Sequence, residues 1–318
     1  MSIGSDVGIL SEEPLEGALL VDKPAGMTSA HVLRCLKRSL SLASHGRRER
    51  IGHSGTLDPM ATGLLVVLLG KATRLQDVVL ESTKTYVGEI ALGVETDTDD
   101  ITGQAVSTDP DFTIAQDAAE ELLRRTERHF LGSQMQRPPA YSAIHVDGKR
   151  SYELARQGRP PELEERPIVI ESLTLEWIDP RRLGYRVKCS KGTYVRSLAR
   201  DIGRYLGTVA CLSAIRRTAT GRFAVEGAMT LEDIEQVGRK VPLISLGTLA
   251  ADLPRIELAA EECRLLRQGV QRPLLRLAQT RQTEGHLAAL FREGGCFEGL
   301  IERAGQGSAW KIRFLLAR

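Results

Sequence analysis

The chain has 318 residues, 42% of them hydrophobic and 26% charged, with a formal net charge of +2. That is room for one large domain plus a small one, or two medium ones, each with a buried core. No apolar run approaches the roughly 18–20 residues that span a bilayer, and MSIGSDVGILSEEPLEG has no basic stretch leading into an apolar core, so neither a membrane segment nor a secretory signal is expected.

Gly17 to Val21 reads as a short buried strand. Thr28 or Ser29 caps a helix whose apolar face uses Val32, Leu33 and Leu36. A basic loop, Ser41 to Arg50, leads into RIGHSGTLDPMATGLLVVLLG, where Leu64 to Leu69 is a continuous apolar run, predicting a strand buried on both faces. Ala72 to Leu80 reads as helix, and KTYVGEIAL (84–92) alternates as a strand does. The acidic loop VETDTDDITG follows, then a helix from about Ile114 to Phe130. Leu131 to Pro161, with Pro138-Pro139 and Pro160-Pro161, reads as a long ordered excursion with a short helix at Ser151 to Gln157; such loops are usually functional. Strands return at Ile168–Trp177 and Leu183–Cys189, then a helix at Tyr194–Leu206 and strand around Val209 to Ala219. From Pro254 the texture changes to a small β-rich unit, with LAAEECRLLRQGVQRPLLRL read as a helix followed by a strand.

The small net charge hides an uneven distribution. Arg181 to Arg222 holds eleven basic residues against the single acid Asp201, whereas Glu81 to Arg125 holds eleven acids against three bases. Arg34, Lys37, Arg38, Arg47, Arg48 and Arg50 face only Glu49 in a third segment. Concentrated basic stretches suit a polyanion footprint, although basic helix faces are as often simply solvated. Five scattered cysteines (35, 189, 211, 263 and 296) without a CxxC predict reduced cytoplasmic thiols, not a disulfide framework or a zinc site. Gly70-Lys71 lacks the spacing of a phosphate loop, and Asp97-Thr98-Asp99 fails as a calcium loop, with Ile101, Thr102 and Thr108 at its later ligand positions. The acidic cluster reads as a solvated turn in preference to a magnesium site. What remains is Asp58 behind a glycine-rich turn, Tyr86 on a strand, and KGTYVR (191–196) where a strand enters a helix, a junction that favours anions.

LLVDKPAGMTS, GHSGTLDPMATGLLVVLLGKATRL, KTYVGEIALGVETDTDD, RPPAYSAIHVDGKRSYELARQG and CSKGTYVRSLARDIG follow one another collinearly. Together they resemble the TruB family, bacterial enzymes that convert uridine 55 of the tRNA T loop to pseudouridine. The match runs from about Gly17 to Phe223, and the tail is similar to the small RNA-binding PUA domain of that family. The resemblance implies an α+β fold: a large mixed, mostly antiparallel sheet flanked by helices, plus the C-terminal PUA-like unit. The implied organisation is an N-terminal extension (1–16), a catalytic domain (17–250) with an RNA-binding insertion at about 131–161, and a PUA-like domain (251–318) whose basic surface includes Arg264, Arg267 and Arg272. By resemblance Asp58 is the catalytic aspartate and Arg196 the arginine that pairs with it. Tyr86 stacks on the target base, Tyr194 contacts substrate, His53 inserts into the T loop, Ile215 lines the uracil pocket, and Lys23 stands beside the site. Ala219 departs from the family pattern, which has a longer, often basic residue there. A tRNA T-arm stem-loop is the implied partner, with no cofactor, metal, membrane or protein partner, and a monomer is expected.

Chemistry agrees with that list. Isomerising uridine breaks a C–N bond and makes a C–C bond with no redox change. A carboxylate serves as nucleophile at C6 or C1′, or as base toward the 2′ position. An arginine suits it as partner by fixed charge and fork geometry. Flipping the base out costs a few kcal/mol, and an aromatic platform offsets roughly 1–3 kcal/mol of it. Tyr86 then acts either only by stacking or through a hydroxyl that takes the C5 proton; the second is favoured. Three rival readings stand beside this one. A guide-RNA-dependent catalytic subunit of the dyskerin type shares SGTLDP, but MATGLLVVLLGKATRL and the lack of long basic tails favour the stand-alone enzyme. A non-catalytic tRNA-folding or RNA-binding protein is the second, and a metal-dependent phosphohydrolase built on Asp97 to Asp100 the third.

Overall fold

A computed structural model describes residues 13–42, 49–115, 118–146, 148–279, 285–303, 305 and 308–316. Most of the expected N-terminal extension, and the middle of the basic loop with Arg47 and Arg48, lie outside the described residues.

The chain opens with β1 (Gly17–Lys23), α1 (Ser29–Ser39), β2 (Ile51–Ser54) and β3 (Thr62–Leu69). Thr28 is the cap of α1: its hydroxyl accepts from the His31 N–H at 3.1 Å, satisfying an orphan donor of the first turn. A 3₁₀ turn at Gly70–Leu75 leads into α2 (Gln76–Glu81) and β4 (Lys84–Leu92). The acidic stretch folds as a hairpin, β5 (Val94–Thr96) with β6 (Ala105–Thr108), rather than an open loop. Residues 112–115 are irregular, so α3 (Ala119–Phe130) starts later than expected. The start of the excursion is a sheet strand, β7 (Gly132–Gln136). Then come β8 (His145–Val146), β9 (Lys149–Arg150), α4 (Ser151–Arg156), β10 (Arg166–Asp179), β11 (Arg182–Cys189), α5 (Val195–Tyr205), β12 (Ala210–Thr220), β13 (Phe223–Ala224), α6 (Leu231–Val237) and α7 (Leu246–Leu249).

One nine-stranded sheet runs β1-β3-β12-β4-β11-β10-β7, with β2 beside β3 and β13 beside β12. Only the β3–β12 pairing is parallel, so the sheet is mixed and mostly antiparallel, as expected. The apolar run of β3 is explained by burial on both faces. Leu65, Val67 and Leu69 pack with Val32 and Leu36 of α1 and Ile234 of α6. Leu64, Val66 and Leu68 pack on the other side. A third core joins α3 and α5 to β4, β10, β11 and β12 through Phe130, Leu198, Ile202, Ile90, Leu175 and Leu212.

The C-terminal part holds β14 (Arg255–Leu258), α8 (Ala260–Arg267), α9 (Arg272–Gln279), β15 (Leu287–Arg292), β16 (Cys296–Glu302) and β17 (Lys311–Leu315), in a four-stranded sheet ordered β14-β15-β16-β17. Residues 272–279 are helical, not the strand the apolar run suggests. Pro273 sits in the first turn, where its missing N–H would have had no intrahelical partner. This sheet is covered twice. Ala288 and Leu290 face α8 and α9, while Ala289, Phe291, Phe297 and Leu300 complete the core that holds Leu64, Val66 and Leu68. Two sheets therefore share one apolar layer. No helix among the described residues is long and apolar enough to cross a membrane.

Candidate active site

One edge of β3 is shared by two strands. Val66 to Leu69 pair with β2, and Thr62 and Gly63 pair with β12. The loop 55–61, which carries Asp58, springs from the fork between them. Gly55 opens it at φ +85, and Gly63 closes it at φ +98 with a hypothetical Cβ 2.3 Å from the Arg217 carbonyl oxygen, so glycine is required at both.

The loop is pinned on either side of Asp58. The Ser29 hydroxyl accepts from the Leu57 N–H at 2.9 Å and donates to its carbonyl at 3.2 Å. Lys23, fully buried, donates from Nζ to the carbonyls of Pro24 (2.8 Å), Met27 (2.7 Å) and Pro59 (3.3 Å). Its ammonium therefore ties the turn after β1 to the residue after Asp58. Burial lowers the Lys23 pKa to about 8, with Asp58 opposing and Arg217 reinforcing the shift.

Arg196, in the first turn of α5, reaches Asp58 with both arms of its fork: Nε to Oδ2 at 2.9 Å and Nη2 to Oδ1 at 3.3 Å. Asp58 is 39% exposed and Arg196 only 6%. The remaining donors of Arg196 go to the carbonyls of Thr98 (2.8 Å) and Tyr141 (2.9 Å), and Asp100 Oδ2 lies 3.8 Å from Nε. One turn along, Arg200 pairs with Asp99 at 2.9 Å and with Asp201 at 3.0 Å, and donates to the Arg137 carbonyl at 3.1 Å. The acidic turn is thus not the solvated turn read from sequence. Asp99 and Asp100 are both buried. Asp100 Oδ1 accepts from the Thr98 hydroxyl (2.9 Å) and from the N–H (3.0 Å) and hydroxyl (2.5 Å) of Thr102. Burial raises the Asp99 pKa while Arg200 and Arg196 oppose it. Asp99 and Asp100 are thus engaged within the protein, by Arg200 and by Thr98 and Thr102 respectively.

Tyr86 and Ile215 come together at the same site. Ile215 is opposite Gly88, and Arg217 is opposite Tyr86, so these side chains share one face of β4 and β12. Both Tyr86 and Ile215 bridge two cores. Burial raises the Tyr86 pKa, and neighbouring Arg217 pulls it down. Tyr194 is the N-cap of α5, its backbone clamped by the Gln136 amide, which accepts from its N–H at 2.8 Å and donates to its carbonyl at 3.1 Å. Burial raises the Tyr194 pKa as well. His53 lies on β2 opposite Val67; its buried Nδ1 has no hydrogen-bond partner among the described residues, and burial, then Arg217, lower its pKa. Two features escaped the sequence reading: Arg217, and the Arg200–Asp99 pair.

The chain was compared with known proteins. A family model described as TruB family pseudouridylate synthase, N-terminal domain, matches residues 43–195, and one described as tRNA pseudouridylate synthase B C-terminal domain matches 196–240. A protein of Aromatoleum aromaticum named tRNA pseudouridine synthase B is 43% identical over 258 residues, 80% of each chain. One of the same name from Bordetella avium is 42% identical over 76% of this chain and 96% of its own. Among solved structures, an H/ACA ribonucleoprotein bound to a substrate RNA containing 2′-deoxyuridine matches with a TM-score of 0.65 at 21% identity, over 95% of this chain and 85% of that one. A Cbf5–Nop10–Gar1 complex matches with a TM-score of 0.66 at 23% identity, over 94% and 84%. These two establish likeness of fold. The matched segments hold the fork, the pinned loop and α5, and the chain belongs to the TruB family of pseudouridylate synthases.

Proposed function

We propose that this protein isomerises uridine 55 in the T loop of tRNA to pseudouridine, with Asp58 as the reacting carboxylate, acting as a monomer without a protein partner or cofactor. The observation that supports this most directly is the forked Arg196–Asp58 pair, in which a buried cation holds the single half-open carboxylate of a pinned loop. The N1–C1′ bond breaks, a C5–C1′ bond forms, and the hydrogen leaves C5 while N1 gains one, so atoms and electrons balance. Asp58 acts at C6, at C1′ or at the 2′ position. Arg196 fixes its direction, and its other donors, satisfied by backbone carbonyls, stop the fork from turning away. Ile215 and the Tyr86 ring form the walls for a flipped uracil. His53 and Tyr194 contact the RNA around it, and Lys23 acts by pinning the loop. The basic segments and the 131–161 excursion supply backbone contacts that weaken with salt.

The test is incubation of pure protein with unmodified tRNA transcript in EDTA, followed by carbodiimide-dependent primer extension. A stop at position 55 is expected. A requirement for added guide RNA and proteins would favour the guided enzyme, a requirement for Mg²⁺ the hydrolase, and binding without product the folding module.

A further inference from the structure

Arg217 is 1% exposed, the largest side chain so deeply buried among the described residues. Its Nε donates to the Leu64 carbonyl at 2.7 Å and its Nη2 to the Gly55 carbonyl at 3.0 Å, so it fills the fork from which the Asp58 loop springs. Among the described residues no carboxylate lies within ion-pair distance of it. Burying an unpaired cation is expensive, several kcal/mol after relaxation. Two backbone carbonyls do not demand it, because a neutral amide donor would satisfy them at smaller cost. The charge therefore calls for another account. The third neighbour supplies it: Tyr86 is the direct cross-strand partner of Arg217 on the same face of the sheet, close enough for the guanidinium to pull down the pKa of the phenol.

We propose that Arg217 is a positioning residue that fixes the Asp58 loop and the Tyr86 hydroxyl relative to one another, filling the Tyr86 oxygen with its own N–H so that the phenol presents its O–H to a carbonyl of the uracil. This rests on the proposed reaction, in which Tyr86 walls the base. It departs from the sequence expectation that the hydroxyl takes the C5 proton. An oxygen whose lone pair is met by a guanidinium is a poor proton acceptor, and burial holds the phenol in its protonated form. A cation at that point strengthens the donor it contacts, as charge-assisted chains do.

The test is a cycle of Arg217→Lys and Tyr86→Phe, read as single-turnover rate on tRNA transcript with tRNA Kd measured alongside. Lysine keeps the charge but has one nitrogen for three acceptors. Arg217→Lys should lose about tenfold or more in rate with Kd within threefold, and in the Tyr86→Phe background it should cost less than threefold more. An equal fractional loss in both backgrounds, or a Tyr86→Phe variant at wild-type rate, overturns the proposal. Should Arg217→Lys not fold, the wild type still decides: the guanidinium NMR signal of the most slowly exchanging arginine should shift in Tyr86→Phe, and an unshifted signal overturns it. Wild-type protein that makes no pseudouridine would instead sink the proposed reaction, leaving the contact to be judged by that spectrum.

Discussion

Buried cations are treated differently on the two sides of Asp58. On the α5 side, Arg196 and Arg200 are met by Asp58, Asp99, Asp100 and Asp201. On the β-sheet side, Lys23, Lys84 and Arg217 donate mainly to backbone carbonyls: three for Lys23, those of Leu80 and Ser82 for Lys84, those of Leu64 and Gly55 for Arg217. Neutral acceptors satisfy the hydrogen bonds without cancelling the charge. The first side therefore fixes geometry with its cations fully countered by carboxylates. The second keeps its positive charge, and Lys23 lies close enough to Asp58 to interact with it electrostatically. It holds its cations under tension, with the pKa values of Lys23 and Lys84 each lowered to about 8, first by burial and with Arg217 contributing.

The largest effect should come where the two sides meet. Asp58→Asn keeps the size and removes the charge; product should vanish while tRNA Kd stays within a few-fold. Turnover above a tenth of wild type would show that the carboxylate is dispensable. Next is Arg196→Lys, which loses the fork on the neutralised side. Single-turnover rate should drop roughly 10²–10³-fold, as for other aligned charge donors, with binding little changed, whereas a loss confined to Kd would make Arg196 part of the RNA-binding potential instead. Third, Lys23→Met probes the tension on the opposite side. The folded pKa of Lys23, about 8, lies below its unfolded value of about 10.5, so the native state releases its proton first and the unfolded state binds more. Wild-type stability should then rise between about pH 8 and 10.5 relative to Lys23→Met, by at most about 3 kcal/mol. Urea midpoints at pH 7.5 and pH 10 measure this, and a wild type that loses ground to the variant as pH rises would contradict it. The smallest effect belongs to the helices of the C-terminal part, α8 and α9. Arg264 is paired with Glu261, and Arg267 with Glu298, so two of the three basic residues expected to face RNA are already engaged. Exposed Arg272→Gln should flatten the salt dependence of tRNA binding by about one unit of slope, and Arg264→Gln by less. Equal slopes for both variants would mean that the ion pair opens on binding.

Most of the nine-stranded sheet was readable in the sequence because its strands carry the plainest signal, β3 as a continuous apolar run and β4 as a β-rich alternating stretch. Asp58, Tyr86 and Arg196 were singled out through their motifs, and the structure brings Asp58 and Arg196 into contact. Arg217 was not. In AIRRTATG two adjacent arginines look alike, yet they point to opposite faces of β12. Arg216 pairs with Asp22 at 2.7 Å in partial exposure, and Arg217 enters a fork that exists only once β2 and β12 share an edge of β3. The buried Asp99 was missed for a similar reason: its partner Arg200 lies 101 positions away in α5. The helix at 272–279 was misread because Leu274, Leu275 and Leu277 fit either period over so short a stretch, and Pro273 was the cue to helix.

The fork in β3 also bears on how the chain acquires its shape. Its first neighbours, β1 and β2, are close in sequence, but β12 joins from far along the chain, pairing Arg217 with Gly63, and Arg217 reaches back 153 positions to Leu64. Loop closure over such a distance is slow and comes late. During synthesis the early strands lack this partner until residue 217 has left the ribosome, and the face of β3 that carries Leu64, Val66 and Leu68 waits longer still, for Ala289, Phe291, Phe297 and Leu300. Completion of this one edge is then a step that competence to react requires, and the core behind β3 closes after it.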